Sequence, residues 1–286
     1  MDPRERIGRP VETISTPALI VDAEALEHNL RTMAACFRAR PAKLRPHIKS
    51  HKCATLARRQ LAAGGAVGIT CAKLSEAEAL AGNGIEDILI ANQVVGAEKA
   101  ARLAALNRRA VVRCAVDCPA NVADLGAAAV AAGVVVPVLI EVDIGMRRCG
   151  VPPGDEALAL ARTIARTPGL RLDGLQGYEG HLVMTPDPDE RRRKVLAAFE
   201  PLLALRRALS DAGLPCPILS GGGTGTYDIT GNIPGVDEIQ AGSYALMDNH
   251  YRKVRPEFRN ALSILATVIS SSRDFLVADV GLKGMG

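Results

Sequence analysis

The sequence predicts an α/β protein, a (β/α)8 TIM-like barrel followed by the beginning of a C-terminal β-domain. Three observations carry this: eight short apolar or β-rich runs, helical patterns in most of the gaps between them, and glycines where several of those patterns stop. Repeated β-then-α units whose strands are apolar on both faces require a parallel sheet covered by helices, and eight such units favour closure into a barrel.

The first element is a β-rich run at 16–21 (TPALIV), after which Asp22 caps an amphipathic helix over 23–39. The barrel strands are predicted at 44–49, 66–72, 87–91, 110–116, 135–142, 172–178, 217–220 and 237–240. Helical patterns occupy 55–63, 75–81, 97–106, 120–132, 155–166 and 189–212, and Gly64, Gly133 and Gly213 stand where left-handed C-caps are expected. Between the last two strands, residues 221–234 are rich in Gly, Thr and Asn and predict a functional loop rather than a packing helix. Beyond the barrel, 261–269 and 275–280 are β-rich with no helix between them, the start of an antiparallel region. The expected division is 1–255 for the barrel with its N-terminal strand and helix, and 256–286 for the incomplete β-domain.

Composition narrows the function classes. The chain has 286 residues, a formal net charge of +4, no Trp, and four each of Tyr and Phe, which argues against nucleic acid as a partner. Arg191 to Lys194 form the most basic run and predict a solvated helix face. No apolar run approaches the roughly 18 residues of a membrane span, and residues 1–12 are charged with no apolar signal core, so the expected location is cytoplasmic. The cysteines Cys36, Cys53, Cys71, Cys114, Cys118, Cys149 and Cys216 include no C-x-x-C pair and predict reduced thiols in core positions.

Two features could carry chemistry. Lys49 falls at the C-terminal end of the first barrel strand, where active sites of such barrels lie; it is either a solvated lysine just past the strand or one placed to meet a ligand. On a strand, His47, Lys49 and His51 would share a face. The second feature is the run Ser220 to Thr226 (SGGGTGT) after the seventh strand. Its glycines free backbone N–H groups to converge on an anion, its hydroxyls add donors, and Gly242-Ser243 after the eighth strand would complete a phosphate cradle. A phosphorylated ligand that also meets a lysine suggests pyridoxal phosphate held as a Schiff base.

Four ordered motifs give these features a family. Arg45 to Lys52 (RPHIKSHK) resembles the RPHxKTHK signature of the D-threonine aldolase, 3-hydroxy-D-aspartate aldolase and D-serine dehydratase group, within the alanine-racemase-like (fold type III) pyridoxal-phosphate enzymes. Asp143 to Val151 (DIGMRRCGV) is similar to that group's D-x-G-x-x-R-C-G-V, and SGGGTGT and Ile239 to Tyr244 (IQAGSY) follow in order. The resemblance implies that Lys49 carries the cofactor, with Arg148 beside its phenolic oxygen, Tyr178 by its ring and His181 near the substrate. Gly222, Gly223, Thr224, Gly242 and Ser243 would hold the phosphate, and Lys52 would start the following helix. Gln240 stands where alanine racemases carry an arginine against the pyridine nitrogen, and a neutral amide there should leave the ring less fully protonated.

The implied activity is that of a lyase cleaving D-3-hydroxy amino acids of the D-threonine type to glycine and an aldehyde. The alternatives are D-serine or 3-hydroxyaspartate dehydration, and a catalytically silent cofactor-binding protein. Relatives are usually homodimers and use a divalent metal (Mn, Mg or Zn) held by a His and a Cys or Asp in the C-terminal β-domain. No such pair follows Ala261, so metal ligands are expected to be absent and the chain to be truncated near 277–283 (VADVGLK).

Overall fold

The computed structural model describes residues 7–214 and 216–282; what was expected of residues 1–6 and 283–286 lies outside the described residues. In chain order the elements are β1 (Ala18–Val21), α1 (Ala23–Arg38), β2 (Lys43–Leu44), α2 (Ala54–Ala62), β3 (Ile69–Cys71), α3 (Leu74–Gly82) and β4 (Asp87–Gln93). Next come α4 (Ala97–Leu106), β5 (Val111–Val116), α5 (Pro119–Ala132), β6 (Val136–Glu141), α6 (Asp155–Arg166), β7 (Leu170–Gly177) and α7 (Pro188–Asp211). The chain continues through β8 (Ile218–Gly221), α8 (Tyr227–Thr230), β9 (Glu238–Ile239), β10 (Leu262–Leu265), β11 (Val268–Ser271) and β12 (Leu276–Ala278).

Eight parallel strands form one sheet in the order β2-β9-β8-β7-β6-β5-β4-β3. Parallel bridges between Leu44 and Ala66 and between His47 and Thr70 join its two ends and complete the barrel. The caps follow local chemistry. Asp22 accepts the N–H of Ala25, and Gly64, Gly133 and Gly213 adopt the positive φ that ends a helix without Cβ strain. One continuous core joins the strand side chains Ile69, Ile88, Val112 and Leu175 to Leu80, Leu103, Ile164, Phe199 and Leu209 of the helices.

The N-terminal mouth of the barrel is sealed by charge rather than by hydrocarbon. Arg45 forms a two-pronged pair with Glu238 (2.8 and 2.6 Å) and a third bond to Asp87 (2.6 Å). Arg113 bridges Asp87 and Asp173 at 2.8 Å each, and Arg171 adds a 2.6 Å bond to Asp173. Arg45 is only 2% exposed, so each of its bonds offsets a desolvation cost. Gly68 makes room for it, since a Cβ there would lie 2.2 Å from Arg45 Nη1.

Several expectations need correction. The first barrel strand is two residues long rather than 44–49, because beyond Leu44 only an isolated bridge at His47 holds the chain to the sheet before it turns through a 3-10 segment at Ile48–Ser50. The last barrel strand is likewise shorter than 237–240. The 221–234 loop contains the short helix α8. The run 261–269 is broken into β10 and β11, which pair with different partners: β1 pairs with β10, and β11 with β12, both antiparallel. The N-terminal strand thus pairs with a C-terminal one, not with the barrel. Arg191 departs from the solvated basic face: it is buried and donates to the Thr185 carbonyl. All seven cysteines are free, but only Cys71 and Cys114 are buried and Cys118 is exposed. Among the described residues no helix is long and apolar enough to cross a membrane.

Candidate active site

A cavity opens among the loops that follow the barrel strands, and it is lined by Lys49, Arg148, Tyr178, Thr224, Gln240 and Ser243, together with His47, Gln176, Tyr251 and others. Gly222, Gly223 and Gly242 complete its floor and side. Nine site residues named from the sequence therefore converge from five separate stretches of chain. His181 is the exception. It is exposed and lies outside the lining, and its imidazole packs over Gly145 so closely that a Cβ there would stand 3.2 Å away.

Lys49 is held by the 3-10 turn, its own N–H donating to Nδ1 of His47. Its ammonium lies 5.7 Å from the centre of the Tyr178 ring, and the Arg148 guanidinium lies 5.8 Å from the same centre. Burial lowers the Lys49 pKa from the ordinary lysine value, and the Arg148 charge lowers it further. Burial also drives His47 down to about 3, with the Lys49 charge adding to the effect, so His47 is neutral across the physiological range. Tyr178, just beyond β7 rather than at its end, is pushed up by burial and keeps its phenolic proton. No carboxylate pairs with Lys49 or Arg148 among the described residues.

The predicted shared face of three residues does not form. His51 turns to α2, where it meets Gln60 at 3.2 Å and accepts the N–H of Cys53 (3.1 Å). Lys52 does not start the helix either; it adopts φ 50° and pairs with Glu76 at 2.9 Å, while α2 begins at Ala54.

At the other end, the glycine run is shaped by a carboxylate the sequence did not single out. Glu179, fully buried, accepts the hydroxyls of Thr226 (2.7 Å) and Thr230 (2.6 Å) and the N–H of Gly222 (3.2 Å). Gly223 donates its N–H to Thr226 Oγ1. The backbone donors of Gly222 and Gly223 are therefore spent inside the loop, and the anion-binding capacity rests on Thr224, Gly242 and Ser243. Thr224 Oγ1 accepts the Tyr244 N–H at 3.1 Å, which leaves its own proton to donate into the cavity. Gly242 is required by crowding, since a Cβ there would lie 2.3 Å from the His47 carbonyl oxygen.

Glu141, Gln176 and Tyr251 were also missed. Glu141 carried a signal, as the polar residue ending an otherwise apolar strand (VPVLIE); Gln176, on a strand that also carries Arg171 and Asp173 (LRLDGLQG), carried a weaker one, and Tyr251, far beyond the last barrel strand, carried none.

The donor set fits pyridoxal phosphate: a lysine in the cavity lining whose proton is loosened, a guanidinium in no salt bridge among the described residues, and hydroxyls with a glycine loop at the opposite end. A resident divalent metal has no comparable site, because no group of three His, Cys, Asp or Glu side chains gathers among the described residues.

Comparison with known proteins gives the family and the fold. The family model of the alanine racemase N-terminal domain matches residues 21–250. The chain is 39% identical over 288 residues to a D-threonine aldolase of an Arthrobacter species, covering 99% of this chain and 76% of that protein. It is 38% identical over 287 residues to a 3-hydroxy-D-aspartate aldolase of Paracoccus denitrificans, covering 96% and 74%. The crystal structure of a D-threonine aldolase from Filomicrobium marinum superposes with a TM-score of 0.90 at 42% identity, covering 94% of this chain and 74% of that one.

Proposed function

Because the chain belongs to the alanine racemase N-terminal domain family, we propose that it is a pyridoxal-phosphate-dependent lyase that cleaves D-3-hydroxy amino acids to glycine and an aldehyde. The observation that carries this is a single cavity with Lys49, its pKa lowered by burial, at one end and the Thr224, Gly242 and Ser243 donors at the other. When bound, the cofactor supplies the electron sink for the bond broken at the substrate Cα.

The chain's own residues do the rest. A lowered pKa raises the fraction of Lys49 present as free amine, the form that can attack a carbonyl carbon. Arg148 brings positive charge over Tyr178 to the lysine end, suited to a phenolate oxygen. Tyr178 gives the ring a wall, and Thr224, Gly242 and Ser243 anchor the phosphate. His181, exposed and beside Gly145 in the loop that carries Arg148, is proposed to hold or release the substrate proton. The residues that would hold a divalent metal are not assigned among those described, and no step is derived through one. By analogy with the family, a cytoplasmic homodimer is the proposed working form.

Borohydride reduction of the protein with pyridoxal phosphate, followed by peptide mapping, should place the label on Lys49; a protein that takes up no label refutes the proposal. Products from D-threonine, D-serine and 3-hydroxy-D-aspartate decide the reaction. Glycine with an aldehyde supports aldol cleavage, and an oxo acid with ammonia replaces it with dehydration.

A further inference from the structure

Two side chains of the cavity wall, Gln176 and Gln240, belong to a row of polar side chains with a definite direction, which Glu141 and Ser220 continue behind the wall. Glu141 on β6, Gln176 on β7 and Ser220 on β8 are register partners, and Gln240 follows β9 directly, so parallel pairing sets the four side chains side by side. Gln176 donates its amide N–H to Glu141 Oε2. Gln176 Oε1 accepts from Gln240 Nε2 at 2.9 Å, and the same Nε2 donates to Ser220 Oγ at 2.9 Å.

An ionised carboxylate only accepts, so Glu141 forces the NH2 end of Gln176 toward itself, and Gln176 in turn forces the NH2 end of Gln240 inward. Both N–H groups of Gln240 are thereby used within the wall. What remains for the cavity is Oε1, an acceptor.

In pyridoxal phosphate the ring nitrogen lies across from the carbon bonded to a lysine and one atom beyond the phosphate-bearing edge. With those points at Lys49 and at Thr224, Gly242 and Ser243, it faces the wall adjoining the phosphate loop, where Gln240 stands two residues before Gly242. A carbonyl oxygen binds a nitrogen there only if that nitrogen carries a proton.

We propose that Glu141, Gln176 and Gln240 form a directed relay that offers the Gln240 carbonyl oxygen to the cofactor ring nitrogen and keeps that nitrogen protonated. The proposal rests on the cofactor reading above and reverses the sequence-based expectation of a less protonated ring. Gln240 is the contacting group, and Glu141 and Gln176 are positioning residues.

The relay is sensitive to pH through Glu141. Burial pushes its pKa up to about 7; the Gln176 amide and the Arg148 charge pull it down, while Asp117 beyond β5 and Asp143 beyond β6 push it up. Those two acids are themselves tied, Asp117 to Gln93 and the Gly150 N–H, and Asp143 to the N–H groups of Gly145 and Arg147. Above that range the direction is enforced. Below it, Glu141 carries its own proton, can donate to Gln176, and no longer fixes either amide.

The test loads the full chain with pyridoxal phosphate labelled at the ring nitrogen and reads its protonation by nitrogen NMR. At about pH 8 the wild-type nitrogen should be protonated, and in Glu141→Gln, which can turn either end of its amide to Gln176, the ratio of protonated to free nitrogen should fall about tenfold, one pKa unit. Gln176→Leu cuts the relay while leaving Glu141 in place and should give the same loss, so a folding failure of one variant does not protect the proposal. A merely structural role would lower thermal stability or cofactor occupancy and leave the nitrogen signal unmoved. An unprotonated wild-type nitrogen, or equal signals in wild type and variants, overturns the relay while the cofactor reading stands. No bound-cofactor signal overturns both.

Discussion

At the N-terminal mouth of the barrel every arginine has a carboxylate: Arg45 with Glu238 and Asp87, Arg113 with Asp87 and Asp173, and Arg171 with Asp173. At the C-terminal mouth Lys49 and Arg148 face each other's charge across the Tyr178 ring, with no carboxylate paired to either among the described residues. Both ends gather cations, Arg45 and Arg113 deep in the first and Lys49 and Arg148 along the cavity of the second. The first neutralises them with its own acids and gains a plug that fixes the register of distant strands. The second leaves them to a ligand, and desolvation of Lys49, with the Arg148 charge adding to it, lowers the lysine pKa.

That contrast can be broken from either side. The largest effect is expected at the open end: Lys49→Ala should abolish the borohydride-trapped adduct and reduce lyase turnover at least about a thousandfold. Its melting temperature should not fall, because no partner is left unpaired; a large drop would mean that Lys49 is structural. At the paired end, Arg45→Met strands Glu238 and one prong of Asp87, and should cost about 3–5 kcal/mol in denaturant titration. The folded fraction should still label at Lys49. A loss below about 1 kcal/mol would show that the plug is ornamental.

Acid pH tests the open end again. His47 has a native pKa of about 3 against an ordinary 6.5, so between those values the unfolded chain binds a proton that the native one refuses. Stability attributable to His47 is therefore complete above that window and falls as pH drops through it, by about 1.4 kcal/mol per pH unit. His47→Gln should flatten that slope in pH-dependent melts; an unchanged slope would mean that His47 titrates normally. The smallest effect belongs to the half-exposed pair of Lys52 and Glu76, in the segments that follow β2 and β3. Lys52→Ala removes the bond to Glu76 from a side chain 58% exposed, and should cost under about 1 kcal/mol with kinetics unchanged, as measured by thermal melts and turnover.

The barrel itself was legible because its signals are local: apolar strands, helical periodicity and glycine caps repeat along the chain. The clustering of Lys49, Arg148, Tyr178 and Gln240 was legible through motif order, since each motif follows a strand. What escaped depends on partners far away in sequence. Period-two alternation assigned His51 to the cavity, but the chain has left the sheet by Ile48, and a turn there depends on barrel closure by Leu44 and His47. Arg45 had no visible role because its partners Asp87 and Glu238 come from β4 and β9. Arg191 reads as one of four basic residues in a row, and only packing against Thr185 separates it from its neighbours. Glu179 precedes the glycine loop by more than a strand and a helix, so its grip on Gly222 could not be seen in either stretch alone.

The pairing of β1 with β10 joins residues 18–21 to residues 262–265, nearly the full length of the described chain. Closing so long a loop is entropically favourable only after the intervening barrel has already brought its ends together, so this two-stranded clasp is a late event in folding. It is also a small one, with alternate residues of β1 partly solvated, and it can open without dismantling the barrel. Amide exchange at Leu19 and Val21 should then proceed by local opening, decades faster than at Ile88 or Val112 in the barrel wall, and the cavity should persist while the clasp is open.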